Sequence, residues 1–379
     1  METIYLDHSA TTPVHPEVLG AMMTYFGHHF GNASSIHREG RFAREAVEAA
    51  RFQVAALIGA DPAEIVFTGG GTEADNLAIL GSAFAEQAGR NHIITTAIEH
   101  HAVENACRHL ESQGFEVTWL PVDGQGRVSP ESVEKAITAK TFLITVMHAN
   151  NEIGTVEPLQ EIGAISRSKG ILLHTDAVQS VGKIPVRVDE LGVDLLSLAG
   201  HKIYGPKGTG ALYVRRGTVL KPITFGGHQE GGMRHGTENI PGVVGLGKAC
   251  QIALRDLDTQ RAHLEGLRDL LLTKICEGIP DAHVNGHPNG RLPHLLSVSF
   301  AGISGEALVR ELDLRGVAVS AGSACTAGST KISHVLAALG MEEALAVGTL
   351  RFSMGRDNTP AEVLQAASLL KRLVNRRRM

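Results

Sequence analysis

The chain has 379 residues, of which 43% are hydrophobic, and its formal net charge is −5 at neutral pH. A chain of this length can bury a large core and is typical of two domains, or of one large domain with an appendage. The slightly acidic balance argues against binding to nucleic acid or membranes through bulk positive charge. We therefore expect no direct nucleic-acid partner and no membrane association.

Cysteine usage and the N-terminal residues bear on the cellular compartment. The four cysteines form no C-x-x-C pair and are too few for a disulfide framework in a chain of this length. The N-terminus lacks the basic segment and apolar stretch of a signal peptide. No run approaches the ~18 apolar residues of a membrane helix. These features predict a cytoplasmic protein.

Short apolar runs alternate with helical patterns over most of the chain. Helices are predicted from about residue 73 and after residue 101. Apolar runs that continue without alternation are typical of strands buried on both faces, so we expect a mainly parallel sheet covered by helices. The predicted strands are 64–67, 93–96, 117–120, 142–146, 171–174, 194–198 and 211–214.

The alternation of apolar runs and helical patterns changes towards the C-terminus. A long helix is predicted from Pro241 to about Leu272. After Pro280, further predicted strands and helices indicate a smaller α+β unit. We place a large domain at 15–258, and a small domain at 1–14 and 259–379. The predicted elements of the smaller unit are strands at 296–300, 317–319 and 350–353, and helices from about 304 and 360.

Candidate ligand-binding residues follow several predicted strands. In open α/β sheets, ligands bind outside the carboxyl ends of the strands. The glycine-rich loop 68–72 precedes a helix and suits a phosphate, although such loops also form tight turns. Asp176 follows another strand, where its carboxylate could hold a protonated ring nitrogen or cap a helix.

Three further residues point to covalent chemistry and substrate binding. Lys202 follows an apolar strand and precedes a Gly-Pro-Lys-Gly turn, and a lysine near buried surface loses its proton more easily and can form an imine. Cys325 lies in a segment of small residues, 320–329, which is unusual for a core cysteine and predicts a nucleophile. Arg351, in a predicted strand, could grip a carboxylate or serve in packing or an ion pair.

Together these residues and their flanking segments resemble the cysteine desulfurases of the NifS/IscS type. These belong to the fold-type-I, aspartate-aminotransferase-like enzymes that depend on pyridoxal 5′-phosphate (PLP). The similarity extends through nearly the whole chain. The matching segments are 5–12, 31–37, 72–76, 99–103, 148–154, 176–180, 200–208, 232–237, 322–326 and 351–353.

The resemblance implies that Lys202 holds PLP as a Schiff base and later transfers protons. Asp176 would pair with the pyridine nitrogen, and Gln179 would hydrogen-bond the ring hydroxyl. His100 would stack over the ring and act in acid–base steps. Cys325 would attack the sulfur of the substrate and become a persulfide as L-alanine leaves. No resident metal is implied, although Cys325 would contact an iron–sulfur cluster transiently.

The resemblance also implies how the phosphate is bound. Gly71, Thr72 and His201 would hold it, with Thr237 reaching in from the other subunit of a homodimer. The family commonly has a serine at the position of Ala199, and its hydroxyl would contact the phosphate. Its absence here predicts weaker cofactor binding or compensation by another donor.

The substrate and the sulfur acceptor complete the implied function. Asn32, Asn151 and Arg351 would bind L-cysteine, and Asn151 would also contact the cofactor. The persulfide would pass to an acceptor protein for iron–sulfur cluster assembly or tRNA thiolation. Because the sequence ends at Met379, before the tail with which housekeeping members dock a scaffold, the acceptor stays open. The alternatives are a selenocysteine lyase, another PLP lyase or aminotransferase, and a non-catalytic sulfur-relay platform without PLP.

Overall fold

The computed structural model describes residues 3–322 and 332–378. Helices and strands alternate through its first part. These elements are β1 (Ile4–Tyr5), α1 (Pro16–Gly27), α2 (Arg38–Ile58), β2 (Ile65–Thr68), α3 (Gly71–Ala85), β3 (His92–Thr96), α4 (His101–Ser112), β4 (Glu116–Leu120), α5 (Pro130–Ala136), β5 (Thr141–Thr145), α6 (Leu159–Lys169), β6 (Leu172–Asp176), α7 (Val188–Leu191), β7 (Leu195–Ala199), β8 (Gly210–Val214) and α8 (Ile240–Gly278).

Strands β2 to β8 form one seven-stranded sheet in the order β2-β8-β7-β6-β5-β3-β4. Neighbouring strands are parallel, except that β8 runs antiparallel to both β2 and β7. Strand β4 lies at an edge and is the most exposed, whereas the central strands are almost wholly buried. The predicted fold class, a mainly parallel mixed sheet with helices, is confirmed.

Helices cover both faces of this sheet because its strands are apolar on both sides. Adjacent residues of β7 show the alternation: Leu195 packs with helix α3, and Leu196 packs in the cluster that includes α2 and α8. Helices α1 and α2 precede the first strand that the sequence predicted, and their bounds were not predicted. None of the described helices is both long and apolar enough to cross a membrane.

The C-terminal part forms a smaller α+β layer. A four-stranded antiparallel sheet has the order β12 (Ser320–Ala321), β13 (Thr349–Ser353), β10 (Leu295–Ser299) and β9 (His283–Val284), and β1 pairs in parallel with β11 (Val317–Ala318). The strand predicted at 317–319 is in fact two short strands that pair with different partners. The remaining elements are α9 (Gly305–Asp313), α10 (His334–Ala338), α11 (Glu343–Ala346) and α12 (Pro360–Arg378).

Helix α8 joins the two parts as a single helix of 39 residues. Its buried residues from Ile240 to Ile252 pack in the core around the large sheet, and those from Leu264 to Ile275 pack in the core around the small sheets. The N-terminal residues Ile4 and Leu6 also belong to the second core. The domain boundary near residue 258 stays a prediction.

Candidate active site

A cavity of ≈ 320 Å³ lies where the central strands end. Two of the predicted site residues, Asn32 and Thr237, are exposed and do not line it. Cys325 lies outside the described residues. The cavity brings together nine residues that the sequence predicted to be functional: Gly71, Thr72, His100, Asn151, Asp176, Gln179, His201, Lys202 and Arg351.

Lys202 occupies a short 3-10 turn, Gly200–Lys202, directly after β7. Its Nζ donates to the backbone carbonyl of Ala10 at 2.8 Å and also to that of Ser9. Gln179 donates to the same Ser9 carbonyl at 3.0 Å. The N-terminal segment therefore forms one wall of the site. The sequence could not reveal this wall because it acts through backbone oxygens, which every residue possesses.

Two buried carboxylates stand side by side in the cavity. Asp176 ends β6, and Asp75 lies on the buried face of α3. Ligand atoms of Asp75, Asp176 and His100 lie within 4.8 Å of one another. Burial raises the pKa of both acids, and the nearby Asp176 raises that of Asp75 further. Two close carboxylates resist joint ionisation. We assign the proton to Asp75 and the charge to Asp176, because the backbone N–H of Val178 and the charge of Lys202 both lower the pKa of Asp176.

Asp75 was missed as a site residue. The signal available in the sequence is an acid on a helix face whose other residues, such as Ala74 and Ala78, are small and apolar. Asp176 also accepts a hydrogen bond from the backbone N–H of Val178 at 2.9 Å. This bond closes a turn after β6, and no described helix begins there, so the helix cap that the sequence left open is not formed and Asp176 instead lines the cavity.

His100 caps helix α4, since its Nδ1 accepts the backbone N–H of Ala102 at 3.2 Å. Burial lowers the pKa of His100 below its usual value, and the charge of Lys202 acts in the same direction. A ring whose Nδ1 accepts a hydrogen bond carries its proton on Nε2 when neutral. We therefore assign His100 as a neutral imidazole with Nε2–H.

Arg351 lies in β13 at the side of the cavity nearest the small sheet. Its guanidinium donates to Asp7 Oδ1 at 2.8 Å and to the backbone carbonyl of Asn151 at 3.0 Å. The ion pair that the sequence left open is therefore formed. The side chain is only 4% exposed, and its Nε has no hydrogen-bond partner among the described residues. Each terminal nitrogen also keeps a second N–H, so donors remain for a substrate carboxylate.

The start of helix α3 offers a place for a phosphate. Its N-cap, Gly70, has a φ of 152°, a conformation open to glycine, and makes no side-chain capping bond. The cavity continues past this helix end into a wider opening lined by Gly71, Thr72, His201 and Lys207. Unpaired N–H groups at a helix N-terminus are a ready anion site.

Comparison with known proteins identifies the family. The "Aminotransferase class-V" family model matches residues 4–365. "Cysteine desulfurase IscS" of Dictyoglomus turgidum is 48% identical over 375 residues, which cover 99% of this chain and 95% of that protein. The chain belongs to the cysteine desulfurase family. "Cysteine desulfurase IscS" of Methanosarcina thermophila is also 48% identical, and it is matched over 100% of this chain and 93% of its own length.

A solved structure, "NIFS-LIKE PROTEIN", superposes on this family member with a TM-score of 0.93. It is 37% identical and covers 98% of this chain and 99% of its own. Enzymes of the class-V aminotransferase family depend on PLP, so the expected resemblance and the expected cofactor are both confirmed. The individual residue roles stay predictions.

The residues present fit PLP. Three groups that PLP requires lie around one cavity. They are a lysine amine for its aldehyde, a charged carboxylate for its protonated ring nitrogen, and an uncapped helix N-terminus for its phosphate. A Cβ at Gly71 would lie 2.7 Å from Val178 Cγ2, so the absence of a side chain lets the start of α3 pack closely against Val178. Gly71, Thr72 and His201 would hold the phosphate, and Asp176 would hold the ring nitrogen.

Glu99, which directly precedes His100, allows a test of how burial changes the pKa of an acid beside the site. The side chain is fully buried: Oε1 accepts from Thr96 Oγ1 at 2.6 Å and from the backbone N–H of Met147 at 3.0 Å, and Oε2 has no partner among the described residues. Burial raises the pKa of Glu99 to about 8 from its usual 4.5. The folded protein therefore keeps a proton that the unfolded chain releases, and stability falls as the pH rises from 4.5 to 8.

We expect Glu99→Gln, which cannot ionise, to unfold at a higher temperature than the wild type at pH 8 and at a similar temperature near pH 4.5. Thermal unfolding followed by circular dichroism at both pH values measures this difference. Glu116→Gln, at an exposed position on β4, is the matched control. An unchanged pH dependence in Glu99→Gln would contradict burial as the cause of the raised pKa.

Proposed function

We propose that this protein removes sulfur from L-cysteine, yielding L-alanine and a persulfide on Cys325. The observation that carries the proposal is the single cavity that joins Lys202, Asp176, His100 and Arg351 in a chain of the cysteine desulfurase family. The reaction balances without an external oxidant, because cysteine and an enzyme thiol become alanine and an enzyme persulfide.

The described residues divide the work of binding and proton transfer. PLP, when bound, supplies a sink for the electron pair left at the substrate α-carbon. Arg351 binds the substrate carboxylate through N–H groups not used by Asp7 and Asn151, with the Asn151 side chain beside it. Lys202 moves the proton at the α-carbon, and His100 exchanges protons through Nε2 because Nδ1 is engaged in the helix cap. Asp176 stays ionised beside the ring nitrogen.

Cys325 supplies the step that selects the reaction. Its thiolate attacks the sulfur atom of the substrate, a sulfur–sulfur bond forms, and the bond between that sulfur and the β-carbon breaks. The electron pair of the broken bond takes up a proton at the β-carbon, which becomes the methyl group of alanine. Support for this role comes from the sequence around the cysteine and from the family.

We propose that the persulfide sulfur passes to an acceptor protein in the cytoplasm, for iron–sulfur cluster assembly or tRNA thiolation. The name IscS that relatives carry is compatible with the first of these acceptors. Incubating the persulfide form with purified scaffold or tRNA thiolase, then following ³⁵S by gel, tests the transfer. Label that stays on the desulfurase with both acceptors would contradict this part of the proposal.

We propose that the enzyme acts as a homodimer to which Thr237 contributes across the interface. Thr237 is exposed and does not line the cavity of its own chain. Large apolar side chains are also exposed on and after α1, including Phe30 at 76% and Ile36 at 88%. Large apolar side chains exposed along one stretch of the chain support an interface there. Sedimentation equilibrium measures the oligomeric state, and a monomer with full activity would exclude this arrangement.

The test of the reaction is a product assay. The purified protein, supplied with PLP, L-cysteine and a thiol reductant, should release equal amounts of L-alanine and sulfide. Selenocysteine in place of cysteine tests the lyase alternative, which predicts a strong preference for the selenium substrate. Release of pyruvate and ammonia, or no alanine at all, would overturn the proposed reaction.

Ala199 offers a test of the phosphate site. Its methyl group lines the cavity at the end of β7, where the family commonly has a hydroxyl. A hydroxyl hydrogen bond to a charged phosphate is stabilising, so we expect Ala199→Ser to tighten PLP binding by about three- to tenfold. Fluorescence titration of the cofactor-free protein with PLP measures the affinity. Ala149→Ser, at another position of the cavity wall, is the matched control. Unchanged or weaker binding in Ala199→Ser would show that another donor already fills this place.

A further inference from the structure

Two histidines and a glutamate converge beside the active site without taking part in it. His101 and Glu104 lie on the first turn of α4, and His334 begins α10. His101 Nδ1 is 3.0 Å from Glu104 Oε2, and the ring centroids of the two histidines are 4.8 Å apart. One ligand atom from each of the three residues lies within 4.8 Å of the other two. All three side chains are partly exposed.

Hydrogen bonds around the cluster orient the ligand atoms. His334 Nε2 is 2.9 Å from the backbone carbonyl of Glu99. Because a carbonyl only accepts, Nε2 carries the proton, and Nδ1 of the neutral ring keeps a lone pair. Metal-binding histidines generally donate their other N–H to a carbonyl or carboxylate in this way. Glu104 Oε1 is 3.5 Å from Arg108 Nε, and Oε2 contacts His101 Nδ1, a contact that an ion shared by the two side chains would replace.

The two helices that bring these ligands together are anchored to one core. Val335 and Leu336 of α10 are buried against Ile98, which precedes α4, and against Met147 and Ile153. Neighbouring ligand positions in a tetrahedral zinc site with bonds of roughly 2.0–2.2 Å lie about 3.3 Å apart, so small rotations of the rings suffice to bind a metal.

We propose that His101, Glu104 and His334 form a binding site for a zinc ion. Two imidazole nitrogens and one carboxylate oxygen are a typical three-residue zinc set, with the fourth position left to water. None of the three lines the cavity proposed for PLP, so the ion binds outside the reacting centre. A search for metal motifs in one segment misses the site, because the third ligand lies far along the chain from the first two.

A zinc ion bound at this site would link α10 to α4. His101 directly follows His100, and in the sequence His334 shortly follows the segment that contains Cys325. A bound ion therefore links the chain on one side of the predicted nucleophile to the helix that carries the predicted acid–base residue. Binding to the folded form alone raises the unfolding temperature.

The test uses the holoenzyme with Cys325→Ser, which removes the thiolate as a competing ligand. Zn²⁺ is titrated against a chromophoric chelator, and thermal unfolding is measured with and without the metal. We expect one ion per chain, a higher unfolding temperature with zinc, and affinity at least about tenfold weaker in Glu104→Gln and in His334→Gln. With Co²⁺ as the probe, we expect ligand-field bands without a thiolate charge-transfer band.

His109→Gln is the matched control, since His109 is an exposed histidine on the same helix. This variant should bind zinc as tightly as its parent. Unfolding temperatures measured without metal show that each variant folds. The zinc affinities of Glu104→Gln and His334→Gln are then compared, because both variants should lose affinity if their residues bind the same ion. Affinity unchanged in both Glu104→Gln and His334→Gln, or no stoichiometric binding by the parent, would overturn the proposal. This outcome is independent of desulfurase activity, because no substrate is present.

Discussion

Lys202→Ala is expected to lose desulfuration and its covalent link to PLP. The substitution removes the amine that can form an imine and that moves the proton at the substrate α-carbon. Loss of a positioned proton-transfer group costs roughly 10²- to 10⁴-fold in rate. Alanine release from L-cysteine measures the activity. Borohydride reduction followed by mass spectrometry measures the link, which should be present in the wild type and absent in the variant.

The same variant separates a chemical role from a structural one. The Lys202 amine also donates to the Ser9 and Ala10 carbonyls, so its loss removes two hydrogen bonds that hold the N-terminal segment against the site. We therefore also expect a lower unfolding temperature, which Lys202→Arg should partly restore without restoring activity. Lys221→Ala, at an exposed position, is the control for the loss of a lysine. Activity near the wild-type level in Lys202→Ala would refute the assignment.

Cys325→Ser should keep the visible absorbance of bound PLP and lose persulfide formation. Serine has nearly the same shape, but its oxygen neither ionises near neutral pH nor forms a stable bond to sulfur. We expect alanine and sulfide release to fall at least about 10³-fold, a loss typical of removing a catalytic nucleophile. Alkylation and mass spectrometry after incubation with L-cysteine detect the persulfide directly.

Cys276→Ser is the matched control for this substitution. Cys276 is an exposed free cysteine, whereas Cys107 and Cys250 are buried, and burial raises the pKa of both of those thiols. The control should form the Cys325 persulfide as the wild type does. Wild-type turnover by Cys325→Ser would mean that another group accepts the sulfur.

Much of the fold could be predicted because its central strands are buried on both faces. Such strands read as unbroken apolar runs, and polar residues at their ends, such as Asp176 and Lys202, are conspicuous. The cavity wall that depends on non-local packing could not be predicted. The Ser9 and Ala10 carbonyls, the pairing of Asp7 with Arg351, and the approach of His334 to α4 join residues distant in sequence, and no local pattern encodes those contacts.

The uneven burial along α8 has a consequence for how the protein unfolds. Its middle part, 253–263, contributes no fully buried side chain, while Leu246 and Leu271 on either side are completely buried in different cores. Along this span, the helix itself is therefore held mainly by its backbone hydrogen bonds and by α-helix cooperativity. Melting of either core removes the packing that holds one end of this span, so loss of structure in one core propagates towards the other through the helix.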